Sequence, residues 1–478
     1  MSNLFASLQT AGDSMRVFER SIDTTQNNVS NASTPGYVKQ RLALEALPFQ
    51  LNNSLPGGVS DAGLIDTRSQ FAEGEVRKQN ESLGNYSQQA TDLAGVSALF
   101  DVTGASGIPS ALNSFFQSLS AWGVDPNSTT ARQDVLDKAN QVAASFRQTA
   151  DGLATEAGNI DSELAGVTTQ INTIGANLAE LNKQRQENST ADPGLDAQIY
   201  SNLEQLSELT NFTVLHPADG TVTVLLGGQS PLVLGSNHFD IQASIQQPAT
   251  PAPVNPGGPP SALVLDSDGK NITGLFSGGR IGGLLSVRNG VLATLRGDSQ
   301  QVGDLNVFAK QFADRVNQIL TNGRISDGPP PVPGVPLFTY SAADPTVAAR
   351  TLNLTNITPA QLATIQPGPP AVSNGVILQL AGLGNSTNAA DHVNGATYTQ
   401  FYGSLAARVG QQLSQAKDKS TQQTQAVAQA RSLRQQVSGV SLDEEATHLL
   451  ELQRSYQAAA QMITIINSLA DAVLNMLN

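Results

Sequence analysis

Residues able to do chemistry are few in this chain and far apart. The four histidines, His216, His238, His392 and His448, have no short spacing to one another and there is no cysteine, whereas a metal centre needs clustered ligands of defined geometry. DSDGKN at 266–271 is similar to the start of a calcium loop but lacks the later acidic ligands. Its Asp268-Gly269 pair is expected to make a hairpin turn. GGRIGG at 278–283 matches neither the dinucleotide nor the P-loop glycine spacing, so its glycines are expected to allow tight turning between an insert and a helical body. No G-x-S-x-G occurs. Asp443, Glu444 and Glu445 are consecutive, and consecutive residues point in different directions on a helix. With Ser441 they read as a capping box and an acidic first turn. The expectation is a chain that is no enzyme and holds no cofactor and no metal.

Composition narrows the class further. The 478 residues are too many for one ordinary core, so two to four domains are expected. Aromatics are only 5% and hydrophobic residues 39%, which suits a long helix-rich body with a modest core. A net charge of −14 from only 14% charged residues argues against nucleic acid, whose phosphates need clustered Lys and Arg. Absence of cysteine excludes disulfides and thiolate sites. No apolar run approaches the roughly 20 residues that span a bilayer, so no membrane insertion is expected. The N-terminal stretch lacks a basic n-region and a continuous h-region, so no cleavable signal is expected.

The elements with the clearest periodicity lie at the two ends. Leu4, Leu8, Ala11, Met15, Phe18, Ile22, Thr25 and Val29 alternate spacings of four and three. Leu449, Leu452, Tyr456, Ala459, Ile463, Ile466, Ala470, Val473 and Leu477 do the same. Each set is the a/d stripe of a coiled coil, so paired terminal helices are expected to form an assembly interface. Burying a seam side chain contributes about 1.5–3 kcal/mol, and fixing each residue's backbone costs roughly 1–2 kcal/mol. Both ends are therefore expected to be poorly ordered in the monomer and to order when copies pack together. After the first seam, Asn27, Asn28, Ser30, Asn31, Ser33 and Thr34 compete with the helix. Pro35-Gly36 suits the centre of a type II turn, and Pro35, Gly36 and Tyr37 are expected to form a bend. An extended segment with Val38, Leu42 and Leu44 should follow.

Between the ends, 67–211 reads as mostly helical, with a loop near 100–109 and a turn at Pro126 and Asn127 capped beyond by Ser128 or Thr129. Ile160, Leu164, Val167, Ile171, Ile174, Leu178 and Leu181 mark one long helix running to about 187. Strands are expected around 212–226, with a turn at Asp219-Gly220, and again at 231–245 and 262–276. The proline-rich stretch 246–260 reads as an exposed loop or spacer. Helix should return from Ser286 to Asn322, and a final long helix should run from 398 to 437. The expected fold class is mainly α with β-rich inserts (α+β), in an elongated multidomain chain. Its expected parts are 1–66 with 438–478 (terminal assembly), 67–211 with 285–325 and 395–437 (helical body), and the inserts 212–284 and 326–394.

Two end motifs carry a resemblance. NNVSNASTPGYVKQR resembles the N-terminal motif of the flagellar rod, hook and hook-associated axial proteins, and SGVSLDEEATHLLELQRSYQAAAQMITIINSLADAVLNMLN resembles their C-terminal region. Inner stretches at 115–136, 219–235 and 278–289 narrow this to the hook-associated members at the hook–filament junction. Where that family carries a run similar to LLDQRD, this chain has GLDAQIYSNLEQLSEL at 194–209. The resemblance implies a structural subunit of the extracellular flagellum, self-associating in its axis beside the hook subunit and the second junction protein. It also implies export without signal cleavage and a cytosolic chaperone on the C-terminal segment. Within the family, the alternatives are the hook subunit and the second junction protein. Outside this reading they are a secreted hydrolase and a cytosolic coiled-coil scaffold.

Overall fold

Both periodic ends fold as helices, α1 (Ser2–Ser30) and α12 (Leu442–Leu477), in a computed structural model describing residues 2–50, 55–101, 106–187, 192–247 and 250–477. α1 ends inside the polar run, at Ser30. The helix continues through Asn27 and Asn28, because the competing side chains bond back into it: Ser30 Oγ donates to the Gln26 carbonyl and Asn31 Nδ2 to that of Asn27. The chain then turns at Thr34–Tyr37, where the Tyr37 N–H donates to the Thr34 carbonyl (3.1 Å) and Gly36 takes φ +75°, the geometry of a type II turn. Extended chain follows as β1 (Gln40–Ala46), paired antiparallel with β4 (Val59–Asp66). Between them β2 (Phe49–Gln50) pairs with β3 (Leu55–Pro56).

The body is built from α2 (Gln70–Ala98), α3 (Gly107–Val124), α4 (Thr129–Glu187), α5 (Pro193–Leu209) and α11 (Tyr398–Ser438). The 59 residues of α4 make a rod about 90 Å long. Its expected stripe, Ile160 to Leu181, is buried throughout. Ser128 Oγ accepts from the Ala131 N–H at the start of α4, the expected cap. α11 runs antiparallel to α2, with Ser87 opposite Ser420 and Glu73 opposite Arg434.

The inserts are stitched to this body. β5 (Phe212–Leu215), β6 (Thr223–Leu226), β7 (Ser230–Leu234) and β8 (Asn237–His238) form an antiparallel sheet in sequence order, and β9 (Gln242–Gln246) pairs with β10 (Ser261–Leu265). Asn182 of α4, fully buried, donates to the carbonyls of Val222 (2.7 Å) and Gly235 (2.8 Å) and accepts from the Val222 N–H (2.9 Å). Asn172 holds Ile241, and Asn289 holds Ala262, in the same two-way manner. Buried Val224, Leu232 and Val264 consequently join one core with α4.

Two expectations in this region need correction. The strand over 262–276 ends at Leu265, because Asp266 Oδ1 accepts from the N–H groups of Asp268 and Lys270 and turns the chain, with Gly269 at φ +77°. The helix begins at 279 rather than 286: α6 (Gly279–Ser286) passes through a π turn at Val287–Val291 into α7 (Leu292–Arg296). It then breaks before α8 (Asp304–Asn322), where Gly297 and Gly303 hold φ +88° and +86° with their backbones in contact. The proline-rich loop is largely exposed, as expected, and is anchored where the N–H groups of Val254 and Asn255 both reach the Ser299 carbonyl at 2.8 Å. The remaining segment carries β11 (Arg324–Ser326) with β12 (Val332–Pro333), β13 (Phe338–Thr339) with β14 (Asn353–Leu354), α9 (Ala348–Thr351) and α10 (Gly375–Gly382).

Candidate functional site

α1 and α12 pack antiparallel. At the far end Leu4, Phe5 and Leu8 line one cavity with Ile466, Asn467, Ala470 and Val473; at the near end Asn28 meets Glu445. The cavity is a groove of about 170 Å³ open to solvent. Phe5 and Val473 in its lining are exposed, so apolar surface at this end of the pair stays uncovered in a single chain.

The near end is polar and tightly satisfied. Asn28, 1% exposed, donates to the Gln40 carbonyl (2.9 Å) and to Glu445 Oε2 (2.9 Å), and accepts from the Gln40 N–H (2.9 Å) and the Tyr37 hydroxyl (3.0 Å). Glu445, also 1% exposed, has the Lys39 ammonium 2.8 Å from Oε1. That contact holds the Lys39 pKa above its ordinary value, while burial, reinforced by Glu445, pushes the Tyr37 phenol up to about 12. The acidic turn at 443–445 is thus more than a helix cap. Ser441 Oγ accepts weakly from the Glu444 N–H (3.5 Å), Glu444 turns to Lys39 (3.3 Å), and Glu445 is a buried partner of the bend.

The bend is seated on the body. A Cβ on Gly36 would lie 2.2 Å from the Ala197 carbonyl of α5. Arg68 donates to the Gly36 carbonyl (2.9 Å) and to Glu73 (2.7 Å), and its guanidinium stacks 3.7 Å from the centre of the Tyr200 ring. Arg434 of α11 joins Glu73 (3.2 Å) to Glu204 (2.6 Å). The Lys39 N–H donates to the Ser438 carbonyl and the Ser69 N–H to the Ser438 hydroxyl, each at 3.0 Å, which ties the start of the strand, α2 and the end of α11 at one point.

Leu452 and Ala459 of the C-terminal seam are buried; Leu449, Tyr456, Ile463, Ile466 and Ala470 are half-buried, and Val473 is exposed. The side chain of Leu477 lies outside the described residues. On α1, Leu4, Leu8, Met15, Phe18 and Ile22 are half-buried and Val29 is exposed. The most buried positions of α1 are instead Ala11, Val17, Ser21, Thr25 and Asn28, because the helix is wedged between α12 and the β1–β4 hairpin. Gly36 and Tyr37 are half-buried and Pro35 is exposed. Sequence reasoning missed Asn28, Lys39, Gln40, Arg68 and Glu445. A second apolar stripe on α12, Met462, Ile465, Leu469 and Met476, faces outward at 51–88% exposure.

The residues first weighed for chemistry are dispersed. His216 stacks on Tyr200, and burial beside Arg77 lowers its pKa. His392 Nε2 meets the Ser386 carbonyl, not its hydroxyl, which points instead to Asp391. Ser386 therefore has no histidine on its oxygen. Among the described residues no group of three His, Asp or Glu could hold a metal ion, and no helix is long and apolar enough to cross a membrane. GGRIGG is a packing motif: a Cβ on Gly283 would lie 2.6 Å from the Asn85 carbonyl of α2.

Known proteins resemble this chain. The family profile described as the helical domain of flagellar hook-associated protein FlgK matches residues 93–338, more than half the chain. That of the flagellar basal body rod FlgEFG protein C-terminal region matches 433–476. Flagellar hook-associated protein 1 of Bacillus subtilis is 26% identical, with 99% of each chain covered. That of Salmonella typhimurium is 25% identical over 96% of this chain and 97% of that protein. The structure of the flagellar hook junction protein FlgK from Burkholderia pseudomallei superposes with a TM-score of 0.63 at 16% identity, covering 76% of this chain and all of that one. The chain belongs to the flagellar hook-associated protein FlgK family.

Proposed function

We propose that this chain is a structural subunit of the bacterial flagellum that joins hook to filament and assembles through α1 and α12. The observation carrying this reading is the end-to-end match to hook-associated protein 1 relatives together with a terminal pair that leaves apolar surface uncovered. In this reading the pair, residues 1–66 with 438–478, packs against neighbouring copies, the hook subunit and the second junction protein. The body, 67–211 with 285–325 and 395–437, holds the inserts 212–284 and 326–394 outward. Seam positions Leu4 to Val29 and Leu449 to Leu477 form the assembly interface, and Pro35, Gly36 and Tyr37 aim it. The tips of the pair gain order when copies pack, because the open apolar groove at Leu8 and Ile466 and the exposed stripe of α12 are both left uncovered within the chain. Until then the uncovered stripe is an association hazard, which a cytosolic chaperone on the C-terminal segment relieves before export without signal cleavage.

Leu8→Asp and Ile463→Asp test this. Neither residue touches the body core, so the thermal transition of the body should stay in place. A charge facing an apolar partner across the seam is strongly unfavourable, so cells carrying either variant should bear hooks without filaments. Normal filaments and motility in either strain would contradict the reading.

A further inference from the structure

A seam that repeats every 3.5 residues looks the same to its partner after a slide of seven. Leu452, Ala459 and Ile466 are seven apart and all face α1. Apolar attraction is non-directional, so the stripe alone leaves the axial register of α12 on α1 undecided by steps of about 10 Å. Glu445 extends that stripe by one more step, and it is the one position on the stripe that carries a charge.

We infer that the contact of Asn28 with Glu445, backed by Lys39, Tyr37 and Gln40, selects the register of the terminal pair and commits each α12 to the α1 of its own chain. Asn28 uses both of its amide hydrogens and both acceptor positions. Sliding α12 by seven residues brings Leu452 to Asn28. The slide strands the buried Asn28 amide, which is costly without partners, and takes the Glu445 carboxylate from the half-buried Lys39 ammonium. A lone buried polar contact that fixes register is the best-attested use of such groups in paired helices. The short connector Gly439–Ser441 keeps α12 near the bend, but it does not supply the seat. The same logic separates own from foreign partners where identical copies crowd together: the bend, strand and helix that build the seat come from one chain, and identical seams do not.

The chain has no cysteine, so introduced pairs report cleanly, and single chains in dilute solution suffice. This keeps the test independent of the assembly reading, which can fail on its own terms. Leu8→Cys with Ile466→Cys spans two residues lining one cavity. Leu8→Cys with Val473→Cys reports this seven-residue slide, and in the described register its sulfurs are too far apart to join. Under mild oxidation the first pair should close and the second should not. In the background Asn28→Leu with Glu445→Leu, which replaces the polar seat by apolar contact without stranding a charge, both should close, with at least a tenfold gain for the second. Glu445→Gln, which retains an acceptor for Asn28, should behave as the parent. The inference is overturned if the leucine background still closes only the first pair, since the connector then suffices. It is overturned equally if that background closes neither, since the cluster then supplies stability rather than register.

Discussion

Gly36→Val should unseat the terminal pair from the body without unfolding the body. Gly36 holds φ +75°, a conformation costing an L-residue about 1–2 kcal/mol. The larger effect is steric. Its Cβ would fall 2.2 Å from the Ala197 carbonyl and 3.0 Å from the Ser201 nitrogen, both backbone atoms of α5. Neither can step aside, so the bend must lift, and Arg68 loses its bond to the Gly36 carbonyl. The core residues of α5, Ile199, Leu203 and Leu206, lie elsewhere on that helix and stay buried. Limited trypsin digestion reads the outcome. The Arg68 side chain is 2% exposed and should resist in the parent. In the variant, cleavage after Arg68 should be at least tenfold faster, while sites in α4 are unchanged. Gly12→Ala is the internal contrast: a Cβ there meets nothing within 4 Å, so it should favour α1 by about 0.5–1 kcal/mol. Equal digestion of parent and Gly36→Val would show that the bend is not seated as described.

Asp92→Asn should stabilise the body, and the gain should grow with pH. Asp92 is 4% exposed at the contact of α2 with α4 and α6. Gln88 donates to Oδ1 (2.8 Å), while Oδ2 is buried without a hydrogen bond. Glu163 and Glu156 face it from α4, and Arg280 from α6 is already engaged by Glu163 (2.6 Å). Burial, reinforced by the two glutamates, pushes its pKa up to about 7. A carboxyl whose folded pKa is raised binds its proton more tightly folded than unfolded. Its contribution is therefore fully present below the unfolded value near 4 and is lost as pH rises through 7. At 1.36 kcal/mol per unit, roughly 4 kcal/mol is lost by pH 8. Asparagine keeps the shape and never ionises. Chemical denaturation should find parent and variant nearly equal at pH 4 and the variant more stable by up to about 4 kcal/mol at pH 8. A constant difference across that range, or a less stable variant at pH 8, would contradict this.

The sequence made the helices legible because their signal is local. The stripe from Ile160 to Leu181 has one period, and Ser128 announces α4 from the position just before it. Pro35-Gly36 is equally local, and the turn it makes has the expected type. The seat at Glu445 was not legible, since its partner Asn28 lies 417 residues away and looks, in isolation, like a residue placed to end a helix. Asn172, Asn182 and Asn289 escaped for the same reason: an asparagine that clamps a distant strand has no periodicity. The break at 297–303 was hidden because apolar residues on both sides keep a helical rhythm, and only the contact between two glycines in the left-handed region reveals the corner. The buried line of α1 departs from its apolar stripe because a hairpin, not only α12, covers the helix.

The central claim is that the body is self-sufficient while the tips of α1 and α12 depend on neighbours. Amide hydrogen exchange on the full chain, dilute enough to stay monomeric, tests it most directly. Opening free energies run from near zero at fraying ends to the global value in a core. Residues 2–12 and 462–477 should exchange within seconds, whereas 135–146 and 308–320, around buried Phe146, Phe308 and Phe312, should stay protected for hours. Tips protected as long as that core in single chains would contradict the account.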